Sequence, residues 1–152
     1  MVSVSGALPA QPDQVFEMVA DWPGHARWQP SLSEAWVDGP LAVGSHLQEV
    51  RAAFSQKVRA TFEVTDLEPG RLVAARSISG PMKATEAYLV EPEAAGSRLT
   101  LTFDLEPPLV LKMFQAYFEP QLRLELERSL ENLQLLVAGR EPAHAQWVWH
   151  PT

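Results

Sequence analysis

The 152-residue chain contains no cysteine. This absence excludes disulfide bonds, thiolate nucleophiles, iron–sulfur clusters and zinc sites with cysteine ligands. Positive charge is also scarce, since 12 lysine and arginine residues stand against 19 aspartate and glutamate residues, for a net charge of −7. Because a negative surface repels phosphate backbones and anionic membranes, we expect no nucleic-acid partner.

Long hydrophobic runs and histidine clusters are missing as well. No apolar stretch approaches the roughly 18 residues that cross a bilayer, and Met1 to Val4 lack the basic start and apolar core of a signal peptide. We therefore predict a cytoplasmic protein without membrane insertion. The four histidines show no metal-ligand spacing, which predicts a chain without a metal or another cofactor. His25 falls in a predicted surface turn.

The hydrophobic spacing changes period along the chain. Alternation near the start predicts a short strand, and helical spacing from Pro12 to Asp21 predicts a short helix, with room for one further helical turn before Pro30. From residue 31 the period is two, and short connections between the segments favour an antiparallel meander. The predicted strands are 32–38, 44–53, 58–67, 71–78, 83–91 and 97–105.

Helical spacing returns after Pro107-Pro108 and continues to about Ala138, where Gly139 provides a stop signal. The apolar stripe on this segment predicts a long amphipathic helix. We expect a kink or a break at Pro120, because proline lacks the backbone N–H that an interior helical position donates.

These elements predict one domain over residues 1–138 and a tail over residues 139–152. The tail carries Trp147 and Trp149 at a spacing of two. We interpret it as a cover for an apolar patch, either on its own chain or on a second subunit. The second case would make the protein a homodimer.

Short motifs also occur in the order of one known superfamily. The motifs are Ala7-Leu8-Pro9-Ala10, Val15-Phe16, Asp21-Trp22, Trp28-Gln29-Pro30, Asp38-Gly39-Pro40, Val43-Gly44, Phe62-Glu63-Val64, Leu67-Glu68-Pro69 and Gly96-Ser97-Arg98-Leu99-Thr100. Together they resemble the SRPBCC superfamily, in particular its polyketide cyclase/dehydrase-like branch. The resemblance implies an α+β helix-grip fold, in which a curved antiparallel seven-stranded sheet wraps around a long C-terminal helix. It also implies one or two short helices after strand 1 and an apolar cavity between sheet and helix.

Strand alternation selects polar side chains that would face this cavity. If Leu47 points inward, the period of two carries Glu49 and Arg51 inward, and an inward Tyr88 does the same for Glu86. A shift of one residue or a bulge would instead turn them to solvent. A buried pair of Arg51 with Glu49 would anchor a ligand carboxylate, phenol or keto group, because unpaired buried charge is costly.

A second pair follows from the next strand. If Leu72 and Ala74 point inward, Arg76 does so too and can pair with Glu86. Aromatic and flexible side chains near the predicted cavity complete the candidate set. The predicted ligand-binding residues are Trp28, Glu49, Arg51, Phe62, Arg76, Glu86, Tyr88, Phe103, Met113 and Tyr117.

Three functions fit this architecture. Binding of a hydrophobic or aromatic small molecule or a lipid needs the fewest convergent groups and ranks first. A cyclase/dehydrase-like enzyme would use Glu86 as base, Arg76 to stabilise enolate charge, and Tyr88. The third function is a protein-interaction module with a filled cavity, whose acidic helix face, including Glu125, meets a basic partner. The sequence identifies neither the ligand nor a reaction.

Overall fold

The computed structural model describes residues 1–53 and 56–142, and it has the predicted helix-grip α+β architecture. The interpretation of Trp147 and Trp149 lies outside these residues. Two 3₁₀ helices span Pro23–Arg27 and Leu109–Phe114. The other elements are β1 (Val2–Leu8), α1 (Pro12–Ala20), β2 (Leu32–Asp38), β3 (His46–Ala53), β4 (Gln56–Glu68), β5 (Leu72–Ser79), β6 (Lys83–Glu93), β7 (Gly96–Glu106) and α2 (Gln115–Val137).

The seven strands form one antiparallel sheet in the order β1-β7-β6-β5-β4-β3-β2. Neighbours in sequence pair directly from β2 to β7, as short connections require, and β1 closes the other edge beside β7. The alternation predicted for the last strand is present, since Leu99, Leu101 and Phe103 are buried. One face of the sheet therefore carries the core.

Helix α2 lies against this buried face. Its apolar stripe supplies Leu122, Leu126, Leu130 and Leu133 to the core, at the spacing of three and four residues that keeps side chains on one helix face. No helix in the described part of the chain is both long and apolar enough to span a membrane.

The predicted break at Pro120 is wrong in position. The chain changes from the 3₁₀ helix to α2 at Gln115, and α2 continues through Pro120. Pro120 lies in the second turn, so its missing N–H removes only the hydrogen bond to the carbonyl of Ala116. The buried stripe that follows stabilises the helix beyond this point.

Candidate functional site

A cavity of about 140 Å³ lies between the buried face of the sheet and α2. Its middle is bordered by large apolar side chains, including Phe62, Phe103 and Leu122. Polar side chains border one end: Gln29, Ser31, Glu49, Arg51, Tyr88, Glu125 and Ser129. Small or flexible apolar side chains complete the lining: Ala53, Val58, Pro81, Met82, Ala84 and Leu105.

The strand register places charged and small apolar side chains next to each other. Across β3 and β4, Glu49 pairs with Ala60 and Arg51 pairs with Val58. On β6, Ala84 also points to the buried face. Small side chains therefore leave space beside the charged groups.

Arg51 is the centre of the polar end. Its Nη2 donates to Oε1 of Glu49 and to Oε1 of Gln29, both at 2.6 Å, and its Nε donates to the same Glu49 oxygen at 3.0 Å. Its guanidinium also lies 5.9 Å from the ring centre of Phe103. Burial works against ionisation, but the surrounding carboxylates, Glu49 first, raise the pKa of Arg51 above its ordinary value. Arg51 is therefore a fixed cation.

Glu125 reaches the same cluster from α2. Its Oε1 accepts hydrogen bonds from the backbone N–H of Ser31 at 2.9 Å and from the Ser31 hydroxyl at 2.7 Å. The Ser31 hydroxyl also accepts a bond from Nη1 of Arg51 at 3.1 Å, and that Nη1 lies 3.7 Å from Oε1 of Glu125. The cluster thus joins β3, the segment before β2, and the C-terminal helix.

The carboxyl groups of the cluster are incompletely paired. Oε2 of Glu49, of Glu86 and of Glu125 is buried without a hydrogen-bond partner among the described residues. Burial, followed by the charge of Glu49, raises the pKa of Glu86 well above its usual range, which favours the protonated form of this carboxyl group. Because Glu86 comes within hydrogen-bonding reach of Glu49, its proton can satisfy that pair. No comparable donor among the described residues reaches Oε2 of Glu125.

A directed hydrogen-bond chain supports the cluster from behind. Nε2 of His25 donates to the carbonyl of Val19 at 2.7 Å, so Nδ1 is free to accept from Nε2 of Gln29 at 3.0 Å. Gln29 also donates to the Tyr88 hydroxyl at 3.1 Å, which donates to Oε1 of Glu86 at 3.2 Å. Each donor and acceptor role is fixed by the next group in the chain.

His25 is buried, which corrects the expectation of a surface turn. Burial lowers the pKa of His25 to about 3. Its ring lies between Trp22, with ring centres 4.2 Å apart, and Trp28, at 4.6 Å, and all three pack around Tyr88. This aromatic cluster sets the position of Trp28 and Tyr88 at the cavity wall.

Most of the sequence-predicted site residues meet at the cavity. Trp28, Glu49, Arg51, Phe62, Tyr88 and Phe103 line it. Glu86 lies buried behind the Tyr88 hydroxyl. The inward assignment of both β3 and β6 is therefore correct.

Arg76 is placed wrongly by the sequence argument. Its side chain is 60% exposed on the outer face of the sheet and lies 3.6 Å from Glu63. Val73 and Ala75 are the buried residues of β5, so the inward set is the odd-numbered one. The prediction failed because both faces of this strand carry apolar residues.

Met113 and Tyr117 also lie away from the cavity. Met113 is 80% exposed on the second 3₁₀ helix. Tyr117 is half-buried and packs edge-on against Phe118, with ring centres 5.7 Å apart. The prediction assumes α-helical spacing throughout this segment. Leu109–Phe114 instead forms a 3₁₀ helix, which has three residues per turn, so Met113 points in a different direction.

Several polar residues of the cavity were missed by the sequence argument, chiefly Gln29, Ser31 and Glu125. The sequence argument placed Glu125 on an acidic helix face that meets a basic partner, yet it lies three residues after Leu122 and next to Leu126 on the buried stripe. A carboxylate on an apolar stripe was the available signal. Gln29 and Ser31 carried no such signal, because they belong to an irregular segment without periodicity.

Comparisons with known proteins agree with this architecture. A family model described as "Polyketide cyclase / dehydrase and lipid transport" matches residues 1–138. A START superfamily protein from Mycobacterium smegmatis is 17% identical, with a TM-score of 0.78, over 91% of this chain and 97% of that one. The Zhui aromatase/cyclase from Streptomyces sp. R1128 is 19% identical, with a TM-score of 0.70, over 91% and 90% of the two chains.

A protein of Thermus thermophilus is similar as well, at 20% identity and a TM-score of 0.76, over 91% of this chain and 97% of that one. At these identities the structures show a shared fold and nothing more. No curated protein matches the sequence significantly. The family model, in contrast, spans most of the chain. The chain therefore belongs to the polyketide cyclase/dehydrase and lipid transport family of the SRPBCC superfamily, and this membership implies a cavity for hydrophobic ligands.

Proposed function

We propose that the protein binds a hydrophobic small molecule of about the size of one aromatic ring in the cavity between the sheet and α2. The cavity itself carries this proposal, since apolar side chains border most of it and a few convergent polar groups occupy one end. Ligand sites of proteins commonly have this composition. The apolar body would lie between Phe62, Phe103 and Ala84, and the polar group would meet the cluster around Arg51.

The volume supports a ring-sized ligand over a long-chain lipid. The cavity measures about 140 Å³, and an engineered apolar cavity of about 150 Å³ is known to bind benzene. Aromatic walls favour a flat ligand, because offset and edge-to-face contacts add to the hydrophobic gain. The same open volume argues against an interaction module with a filled cavity.

A cavity-filling substitution tests the proposal. Toluene, the probe, should stabilise the wild-type protein: at ten times its Kd a ligand adds about 1.4 kcal/mol, or a rise in Tm of about 3–5 °C. Dodecanoate should give no such rise. Ala84→Phe should abolish the toluene effect, because the new ring occupies the cavity that the ligand needs.

Ala87→Phe is the matched control, since Ala87 lies on the same strand but on the opposite face from buried Ala84 and Glu86. It should leave the toluene effect unchanged. Isothermal titration of both variants separates lost binding from the roughly 1–3 kcal/mol that overpacking a core typically costs. An unchanged toluene affinity in Ala84→Phe, or stabilisation by dodecanoate alone, would refute the proposal.

Acid–base catalysis is a second candidate, favoured by one observation. The raised pKa of Glu86 favours its protonated form, and Glu86 is hydrogen-bonded to Tyr88, which lines the cavity. In this candidate the Tyr88 hydroxyl would turn from Glu86 and donate a hydrogen bond to the ligand carbonyl, which stabilises the enolate while a buffer base removes the methyl proton.

Acetophenone in D₂O provides the test for this candidate. The wild-type protein should accelerate deuterium exchange at the methyl group, measured by NMR, and Glu86→Gln should reduce the rate at least tenfold. The control is Glu63→Gln, on the outer face near Arg76, which should exchange at the wild-type rate. If the methyl group exchanges no faster with the wild-type protein than in buffer alone, the catalytic candidate is refuted and ligand binding remains.

A further inference from the structure

The charge balance at the polar end restricts the ligand class. Among the described residues that line the cavity, Arg51 is the only basic side chain, while Glu49 and Glu125 are both acidic. Buried Glu86 adds a third carboxyl group behind Tyr88. The cluster is therefore net negative whether or not Glu86 is protonated, so an anionic ligand would face more repulsion than attraction.

Four of the five N–H groups of Arg51 are already engaged within the protein. Nε and Nη2 both donate to Glu49, Nη2 donates to Gln29, and Nη1 donates to Ser31. The guanidinium is only 22% exposed. A carboxylate or phenolate ligand, which the arginine alone suggested, would have to break these hydrogen bonds in order to bind it bidentately.

Acceptors, in contrast, are left over at the cavity. Glu125 is 4% exposed and borders the cavity, and Ser31 occupies its Oε1 twice. Its Oε2 is buried without a donor among the described residues. A buried carboxylate oxygen without a donor is costly, so a ligand that brings an N–H group and a positive charge relieves two penalties at once.

We propose that the ligand is a small protonated amine, with an aromatic or short aliphatic body against the apolar side chains and an ammonium group that pairs with the carboxylate of Glu125. This inference rests on the proposed function, because it names the chemical class held in the same cavity. The ammonium group supplies both the missing donor and the missing charge.

Three probes of nearly equal size test the charge preference: benzylamine, toluene and benzoate at pH 7. Calorimetric titration of the wild-type protein should show that benzylamine binds at least tenfold more tightly than toluene. This ratio corresponds to a difference of about 1.4 kcal/mol in binding free energy. Benzoate should bind more weakly than toluene. In Glu125→Gln the benzylamine preference over toluene should fall below threefold, while the affinity for toluene stays within twofold of wild type.

Glu127→Gln is the matched control, because Glu127 is exposed on the same helix and the substitution removes the same charge. It should keep the wild-type preference. Equal loss in both variants would mean general charge attraction and would overturn the assignment to Glu125. If Glu125→Gln does not fold, the wild-type ratio decides alone, since toluene binding at least as tight as benzylamine overturns the inference.

The outcomes also separate this inference from the proposed function. Toluene binding without an amine preference refutes the amine and leaves the hydrophobic site intact. If neither toluene nor benzylamine binds, the proposed function fails, and the inference fails with it.

Discussion

Replacing Arg51 with methionine should lower the free energy of unfolding at pH 7 by about 3–5 kcal/mol, the typical cost of removing one partner from a buried ion pair. Arg51 is the cation for the carboxylates of Glu49 and Glu125, at N–O distances of 2.6 and 3.7 Å. Methionine has a similar length but no charge, so it would leave these groups buried without a counterion. Urea unfolding followed by circular dichroism measures the change.

Arg76→Met is the control for this prediction. Arg76 is also paired with a glutamate, but it is 60% exposed, and exposed ion pairs contribute about 1 kcal/mol or less. Adding Glu125→Gln to Arg51→Met should recover part of the lost stability, because one uncompensated charge disappears. A loss in Arg51→Met no larger than that in Arg76→Met would contradict the description of the cluster as a buried charge network.

Acid should destabilise the protein through His25. The pKa of His25 is lowered by burial from 6.5 to about 3. Between these values the unfolded chain binds a proton that the folded protein does not, so stability falls as the pH falls. The slope is about 1.4 kcal/mol per pH unit, and the full contribution is on the order of 4–5 kcal/mol.

Glu86 acts in the opposite direction. Its pKa is raised in the folded protein, so its contribution to stability is present below the unfolded value and is lost as the pH rises through the folded value. The acid loss from His25 is therefore partly offset above about pH 4.5. The difference between the wild-type protein and a His25 variant isolates the histidine contribution.

His25→Gln is a suitable variant, because glutamine can both donate to Val19 and accept from Gln29. It should remove the His25 contribution, so that wild type and variant converge in stability as the pH falls from 6.5 towards 3. His46→Gln, at an exposed position of β3, is the control and should keep the wild-type pH profile. Parallel profiles for wild type and His25→Gln would show that the buried histidine is not held neutral.

Strand alternation predicted the cavity side of the sheet where one large apolar residue fixed the inward face of a strand. On β3, Leu47 is fully buried and carries Glu49 and Arg51 with it. On β6, Tyr88 and Val90 do the same for Glu86. A period of two extends one correct assignment along the whole strand, so polar residues could be placed without knowing their partners.

The same rule failed on β5, where the sequence Leu72-Val73-Ala74-Ala75 is apolar on both faces. Alternation therefore gave no signal for which of the two faces is buried, and Arg76 was assigned to the wrong face.

Tertiary contacts determine the remaining parts of the site. His25 and Gln29 lie in an irregular segment, and only their packing around Tyr88 brings them into the hydrogen-bond chain. Glu125 is 94 residues from Ser31 in sequence, yet two hydrogen bonds join them and link the helix to the edge of the sheet. Local sequence patterns carry no information about pairs this far apart.

A crystal structure of the protein grown with bromobenzene tests the central claim most directly, because bromine gives an anomalous signal that locates one atom of the ligand. The account predicts a single strong peak between α2 and the sheet, with the ring in contact with Phe62 and Phe103. A cavity closed by these same side chains, with bromine found only on the outer surface, would contradict it.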